Sequence, residues 1–316
     1  MTALASHSQP APAAAPARSP GRDSAGHVLA PLGVAILAAA GVAAMYQIFV
    51  RTTVGQLGDT AAMRGGDVEH PRVVEVLSRT LNGTTLVSLV AVCLAAVTIG
   101  VLRKRIDLAV AATVLVLGAN GSCQLLKMRL ERPDLDGLAM PNSFPSGHTA
   151  AAASVAAALI LVLPQAIRGM VTMIGAGYVT IIAIATVWAE WHRPSDTIAA
   201  VLLVLAWSAF AAFGVRLLRS RRPVEPERHS RVGTALLLIV FVVAGAAGVL
   251  GLATVLLSER VMPDLVSGRF AFLTGSAGIV AAVAGAFLIW VRLTSGDRPA
   301  TAPAKAVRRR TKGGSK

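Results

Sequence analysis

Two histidines and one aspartate are the side chains of this chain best suited to chemistry. His148 closes the run Asn142-Ser143-Phe144-Pro145-Ser146-Gly147-His148, and an unbroken apolar stretch follows it. His192 and Asp196 stand four residues apart in His192-Arg193-Pro194-Ser195-Asp196. An imidazole changes charge near neutral pH, so it serves as a nucleophile or a proton carrier. A carboxylate four residues on can share its helix face and fix its tautomer. Pro194 favours a helix start, which makes the pair straddle the beginning of an element. Ser146 is a good N-cap residue, and Gly147 lets the backbone come close to whatever lies before it. A helix starting there presents free N–H groups and its positive dipole end, which suits a phosphate. Lys127, Arg129 and Arg132, in the stretch that runs to Pro133, bring cations. Each group also has a plainer reading. His192 beside Trp188 and Trp191 can be an interfacial residue of an aromatic belt. Asp196 can favour a helix N-terminus through the dipole, and Lys127 can snorkel from a helix end. Three such islands, each at an apolar boundary, argue together for a site.

The elements that position them are membrane helices. The chain has 316 residues, is 54% hydrophobic and 15% charged, and has a mean hydropathy of +0.65. That composition excludes a soluble globule. Apolar runs recur at roughly 28–50, 83–102, 108–126, 148–164, 170–190, 196–218, 232–257 and 270–291, giving eight candidate spans. The first is longer than the apolar core of a secretory signal. Residues 1–27, rich in Ala, Pro and Ser, read as a disordered cytoplasmic N-terminus. Residues 51–80 read as a polar, charge-balanced connection with a short amphipathic helix near 73–81. The spans at 28–218 form one six-span domain, a basic linker occupies 219–231, a two-span extension 232–291, and a basic disordered tail 292–316.

The net charge of +14 is explained first by the positive-inside rule. Most Lys and Arg fall in the N-terminal segment, at 103–105, at Arg168, at 216–231 and in the tail, so both termini are expected to be cytoplasmic and all three islands to face outward. The sequence shows no basic, aromatic-interleaved patch for nucleic acid and no metal-ligand cluster. Cys93 and Cys123 lie in apolar runs and read as small hydrophobes rather than a disulfide or metal pair. The bias to Ala, Gly, Val and Arg fits a bacterial plasma-membrane protein.

At the three islands the chain resembles the type 2 phosphatidic acid phosphatase superfamily, which includes lipid phosphate phosphatases, glucose-6-phosphatase and vanadium haloperoxidases. Its pattern is Lys-x6-Arg-Pro, Pro-Ser-Gly-His, then Ser-Arg-x5-His-x3-Asp. Pro145-Ser146-Gly147-His148 matches the second motif, and His192-x3-Asp196 the end of the third. The likeness covers roughly residues 85–218. Two departures stand out. The first motif is spaced Lys127-x4-Arg132-Pro133, with Asp134-Leu135 where a second Arg-Pro often follows. In the third, Ala185-Thr186 occupies the place of Ser-Arg.

The resemblance implies an all-α integral membrane protein: a six-helix phosphatase-like transmembrane bundle, here with two further C-terminal transmembrane helices. It implies a cofactor-free, metal-independent phosphoryl transfer through a phosphohistidine. His192 is then the nucleophile, Asp196 its orienting carboxylate, and His148 the acid and later the base. Lys127, Arg132, Ser146, Gly147 and, as a stand-in, Arg193 would hold the phosphate. The expected partners are membrane lipids, with a lipid phosphate or a polyprenyl diphosphate as substrate. The departures leave a second expectation open: a catalytically degenerate member that binds phospholipid or scaffolds membrane partners.

Overall fold

The computed structural model describes residues 20–66, 75, 79, 86–138, 140–219, 231–261 and 267–294. All regular structure among them is helical. Helix α1 spans Pro20–Met45 and runs on through a π-helical turn, Tyr46–Val50; α2 is Thr53–Arg64, α3 Leu86–Leu102 and α4 Ile106–Arg129. Then come α5 Gly147–Val162, α6 Gln165–Trp188, α7 Pro194–Arg219, α8 Arg231–Val261 and α9 Gly268–Thr294. In hydrocarbon every backbone polar group must be satisfied within its own segment, so long apolar runs become helices. Large apolar side chains such as Leu37, Leu102 and Val249 are exposed at 73%, 77% and 69%, as a lipid-facing surface requires. Among the described residues six helices are long and apolar enough to cross a membrane: α1 with its π turn, α4, α6, α7, α8 and α9. The chain is membrane-embedded. Of the eight expected spans, the remaining two, α3 and α5, are apolar but shorter, at 17 and 16 residues.

Two boundaries differ from the sequence reading. Helix α1 begins at Pro20, within the stretch expected to be disordered. The segment after Val50, read as a plain polar connection, folds into α2. Thr52 caps it by accepting the Gly55 N–H, and its polar residues Gln56, Asp59 and Thr60 are buried rather than solvated. Of the helix expected near 73–81 only Glu75 and Arg79 are described; both are helical and pair at 2.7 Å. The rest of that helix, the linker at 220–230 and the tail from 295 lie outside the described residues.

Helix α7 is the centre of the bundle, packed against α1, α4, α5 and α9. Its approach to α4 depends on Gly118, where a Cβ would stand 2.4 Å from the Trp207 ring. The C-terminal pair is not set apart in space: α8 lies along α9, and α9 packs on α6, α7 and α2. Gly65, at the end of α2, meets Gly268, at the start of α9, so closely that a Cβ there would fall 1.7 Å from the Gly268 carbonyl oxygen. One end of the bundle gathers arginines on helix C-termini. Arg103 bonds the Val162 carbonyl, Arg168 those of Leu163 and Thr294, Arg216 those of His27 and Leu293, and Arg219 pairs with Asp107. The opposite end carries all three polar islands.

Candidate active site

The α6–α7 turn sets the site. Glu190 takes a left-handed φ of 58°, and the N–H groups of Trp191 and His192 both return to the Thr186 carbonyl at 3.0 and 3.2 Å. This closes the last turn of α6 and reverses the chain. Helix α7 then starts at Pro194, as the sequence predicts. Asp196, three residues into the start, reaches back to accept the Arg193 N–H at 3.1 Å, the acidic half of a capping box.

Asp196 is fully buried and is the hub of the site. Its Oδ1 accepts from Arg132 Nη2 at 2.6 Å, and its Oδ2 accepts from Ser143 Oγ at 2.5 Å. His192 Nδ1 stands 3.5 Å from Oδ2, within ion-pair range, and makes no hydrogen bond with the described residues. The Asp196 carbonyl accepts the Ser146 N–H at 2.9 Å, which stitches the start of α5 to the start of α7. His148 is thereby set beside His192, ring centroids 6.4 Å apart, with Trp191 on another side at 5.5 Å. Trp188 donates to the Gly66 carbonyl at 3.0 Å. The two tryptophans therefore have structural tasks at the site rather than serving only as interfacial anchors.

Arg132 lies in the irregular chain after α4. Asn142 ties that chain down through the Lys127 and Leu130 carbonyls, and Tyr46 donates to the Glu131 carbonyl. The Arg132 side chain is 3% exposed, and one arm is spent on Asp196. Its Nε and Nη1 are buried with no acceptor among the described residues. A buried guanidinium with two undirected donors is costly unless an anion meets them. The shifted spacing of the first motif has therefore not removed Arg132 from the site. Lys127 occupies the last turn of α4, half-buried.

Ser146 caps α5 by accepting the Thr149 N–H at 3.4 Å, and its hydroxyl is fully buried. A Cβ on Gly147 would meet only Gln124 Nε2, at 3.7 Å, so the protein leaves room in front of this turn. The N–H groups of Gly147 and His148 have no acceptor within the helix. Arg193 is directed elsewhere. Its Nε donates to Thr60 Oγ1 at 2.7 Å and its Nη2 to Asp136 Oδ2 at 2.9 Å, both ends buried. His192 and Arg193 both precede α7, and Thr60 and Asp136 draw the Arg193 guanidinium toward α2, so nearness to His192 in sequence did not carry it to the same side. Thr186 bonds its own helix, at the Ala183 carbonyl, and is fully buried.

Sequence reasoning missed α2. Gln56 donates to the Pro133 carbonyl at 2.7 Å and accepts the Leu135 N–H at 3.2 Å, fixing the segment behind Arg132. Asp59 accepts from the Ser195 N–H at 3.1 Å and Oγ at 2.5 Å. Thr60 joins Asp136 to Arg193. Burial, and then the nearby negative charge of Asp196, push the Asp59 carboxyl up to about 7. Burial alone would raise Asp136 as well. The hydrogen bonds from Thr60 and the Leu138 N–H, with the Arg193 charge, hold it below its ordinary value.

Two cavities flank these groups. The larger, about 510 Å³, is apolar and lies between α2, the start of α7 and the C-terminal pair; Asp59 is its one ionisable lining residue, and no cation lines it. The smaller, about 230 Å³, is lined by Gln56, Arg132, Pro133, Asp134, Leu138 and Met140. Of the two, the second carries a cation, Arg132, together with the carboxylate of Asp134. Among the described residues no three His, Cys, Asp or Glu side chains are grouped as metal ligands. Both cysteines are free; Cys123 is buried.

A family model described as the PAP2 superfamily matches residues 34–218. No match to the chain is found among curated proteins or among solved structures.

Proposed function

The chain belongs to the PAP2 superfamily, and from that premise we propose that it hydrolyses lipid phosphates or polyprenyl diphosphates at the outer face through a phosphohistidine. The family carries a phosphatase-type function in general. One observation carries the finer reading. The His192–Asp196–Arg132 cluster is buried, leaves two guanidinium donors unspent, and has a second imidazole beside it.

The chemistry runs in two balanced steps. His192 Nε2, the ring nitrogen turned from Asp196, attacks phosphorus in line with the leaving oxygen. The N–P bond forms, the P–O bond breaks, and His148 passes its proton to the departing alkoxide or phosphate. Asp196 supports the positive charge that develops on the His192 ring. Water then attacks the phosphohistidine, and His148 takes its proton back. Inorganic phosphate leaves, and His192 is restored. Arg132, Lys127 and the Gly147 and His148 N–H groups stabilise the equatorial oxygens, where transition-state charge is spread. In this scheme the cations take the part a metal plays elsewhere. Arg193 instead serves the site's frame through Asp136.

Lipid is the favoured substrate class because the site opens at the ends of membrane-crossing helices. A headgroup can reach the cations there while its chains stay in the bilayer. The arginine-rich opposite end marks the cytoplasmic side by the positive-inside rule, in a bacterial plasma membrane on the compositional argument. Helices α8 and α9 are two further spans on this reading.

The test is phosphate release by detergent-purified protein from phosphatidic acid, a polyprenyl diphosphate, phosphatidylglycerophosphate and glucose 6-phosphate. EDTA, vanadate and His192→Ala are run in parallel. Release that survives EDTA, stops with vanadate and disappears in the variant is expected; full activity in His192→Ala would overturn the nucleophile assignment. Thr186, buried where the family carries its second phosphate-binding Arg, favours a second reading, a phospholipid-binding member without turnover. Saturable lipid-phosphate binding with no release, unchanged in His192→Ala, would establish that reading instead.

A further inference from the structure

Helix α2 meets both strips of chain that bear the site. Its buried polar residues fall at positions 56, 59 and 60, the spacing of one helix face. Gln56 holds the segment just after Arg132, and Thr60 holds Arg193 directly and through Asp136. Asp59 holds Ser195, with one oxygen on the backbone N–H and the other on the hydroxyl. Ser195 lies between His192 and Asp196, in the first turn of α7, so Asp59 caps that helix from another element.

Resting on the phosphatase reading above, we infer that Asp59 is a positioning residue for His192. It holds Ser195, in the turn that sets the His192–Asp196 geometry, through two bonds that both end on its carboxyl. His192 Nδ1 and Asp196 Oδ2 stand 3.5 Å apart with no hydrogen bond formed, so any further separation puts one out of reach. Asp196 on α7 and Arg132 on the loop are the charges that act on Asp59, and the Asp136–Arg193 pair lies behind Thr60. The cavity walls that α8 and α9 turn toward Asp59 carry no ionisable side chain. Ionised Asp59 places a second anion beside Asp196 and repels an arriving phosphate. Neutral Asp59 carries neither penalty: one oxygen still accepts the Ser195 N–H, and the protonated one donates to Ser195 Oγ instead of accepting from it. Its carboxyl titrates at about 7, so the two forms exchange within the working range.

The experiment measures kcat and KM from pH 5 to 9 for wild type, Asp59→Ala, Asp59→Asn and Ser195→Ala, on the substrate released in the panel above. Vanadate affinity is read in parallel by thermal shift. Asp59→Ala is expected to lose kcat on the order of 10²-fold, the scale of an ångström-sized misplacement, with KM within about twofold. It should lose vanadate affinity to match. Ser195→Ala, which keeps the N–H bond, should fall about tenfold. Wild-type kcat/KM should decline as pH rises through about 7. Asp59→Asn, the neutral isostere, should lack that decline. A purely structural role would lower thermal stability in all three variants yet leave the wild-type pH profile in Asp59→Asn. That outcome, or an unchanged kcat in folded Asp59→Ala, overturns the inference while the phosphatase reading stands. Wild type that neither releases phosphate nor binds vanadate overturns both.

Discussion

Arg132 does two jobs with one guanidinium, and they can be separated. Its Nη2 bonds Asp196, with side chains 3% and 0% exposed, while Nε and Nη1 are buried without an acceptor among the described residues and, on the phosphatase reading, meet the substrate. Arg132→Met removes both functions. Breaking a buried ion pair from one side costs about 3–5 kcal/mol. Ser143 and the Arg193 N–H still bond Asp196, so the expected loss is near the lower limit, about 3 kcal/mol. Each donor lost from the transition state lowers turnover by about 10²–10³. With two gone, kcat/KM should fall by at least about 10³-fold. Arg132→Lys keeps the charge near Asp196 but not the planar fork. It should recover stability to within about 1 kcal/mol and still lose about 10² in turnover. Thermal unfolding in detergent and phosphate release on the same preparations give both numbers. If Arg132→Met loses stability but keeps kcat/KM within about tenfold, the two free donors do not meet substrate. If Arg132→Lys is fully active, the fork has no role.

Folding itself should respond to pH through Asp59. Its folded pKa of about 7 lies above the unfolded value of 3.8, so the stability present below the lower value is lost as pH rises through the higher one, up to about 4 kcal/mol in full; melting curves should show this slope in wild type and not in Asp59→Asn. Arg193→Met should destabilise by about 3 kcal/mol, because it strands Asp136, while Arg193→Met with Asp136→Leu should recover most of that and keep turnover, as a double-mutant cycle would show. A stable but inactive double variant would return Arg193 to the phosphate.

How far the sequence could be read depends on what each residue faces. Apolar runs in a membrane protein have one use, so most helices stood out. The histidines and Asp196 were legible because their spacing matches the chemistry, and Ser146 because a cap before an apolar run has a known geometry. Helix α2 was not legible, since buried polar residues on one helix face look the same in sequence as solvated ones. Its one local signal was Thr52 ahead of Gln56, Asp59 and Thr60 at helical spacing. Arg193 shows the limit from the other side: its neighbour His192 gave its place along the chain but not its direction. Asp136, the partner that turns it away, lies 57 residues earlier.

The 16 residues of α5 make a rod about 24 Å long, against about 30 Å of hydrocarbon. Its far end is held at the level of Arg103, which bonds the Val162 carbonyl. With Arg103 at one rim of the hydrocarbon, the near end, with Gly147 and His148, would start inside the slab rather than at the other rim. A headgroup floating at its usual depth has to sink to be met, or the surrounding leaflet has to thin. Hydrophobic mismatch of this kind costs fractions of a kcal/mol per ångström. On the phosphatase reading, turnover should therefore depend on the host bilayer as well as on the substrate: short-chain lipids would bring the phosphates down to the histidines, and long-chain or sterol-thickened bilayers would hold them away.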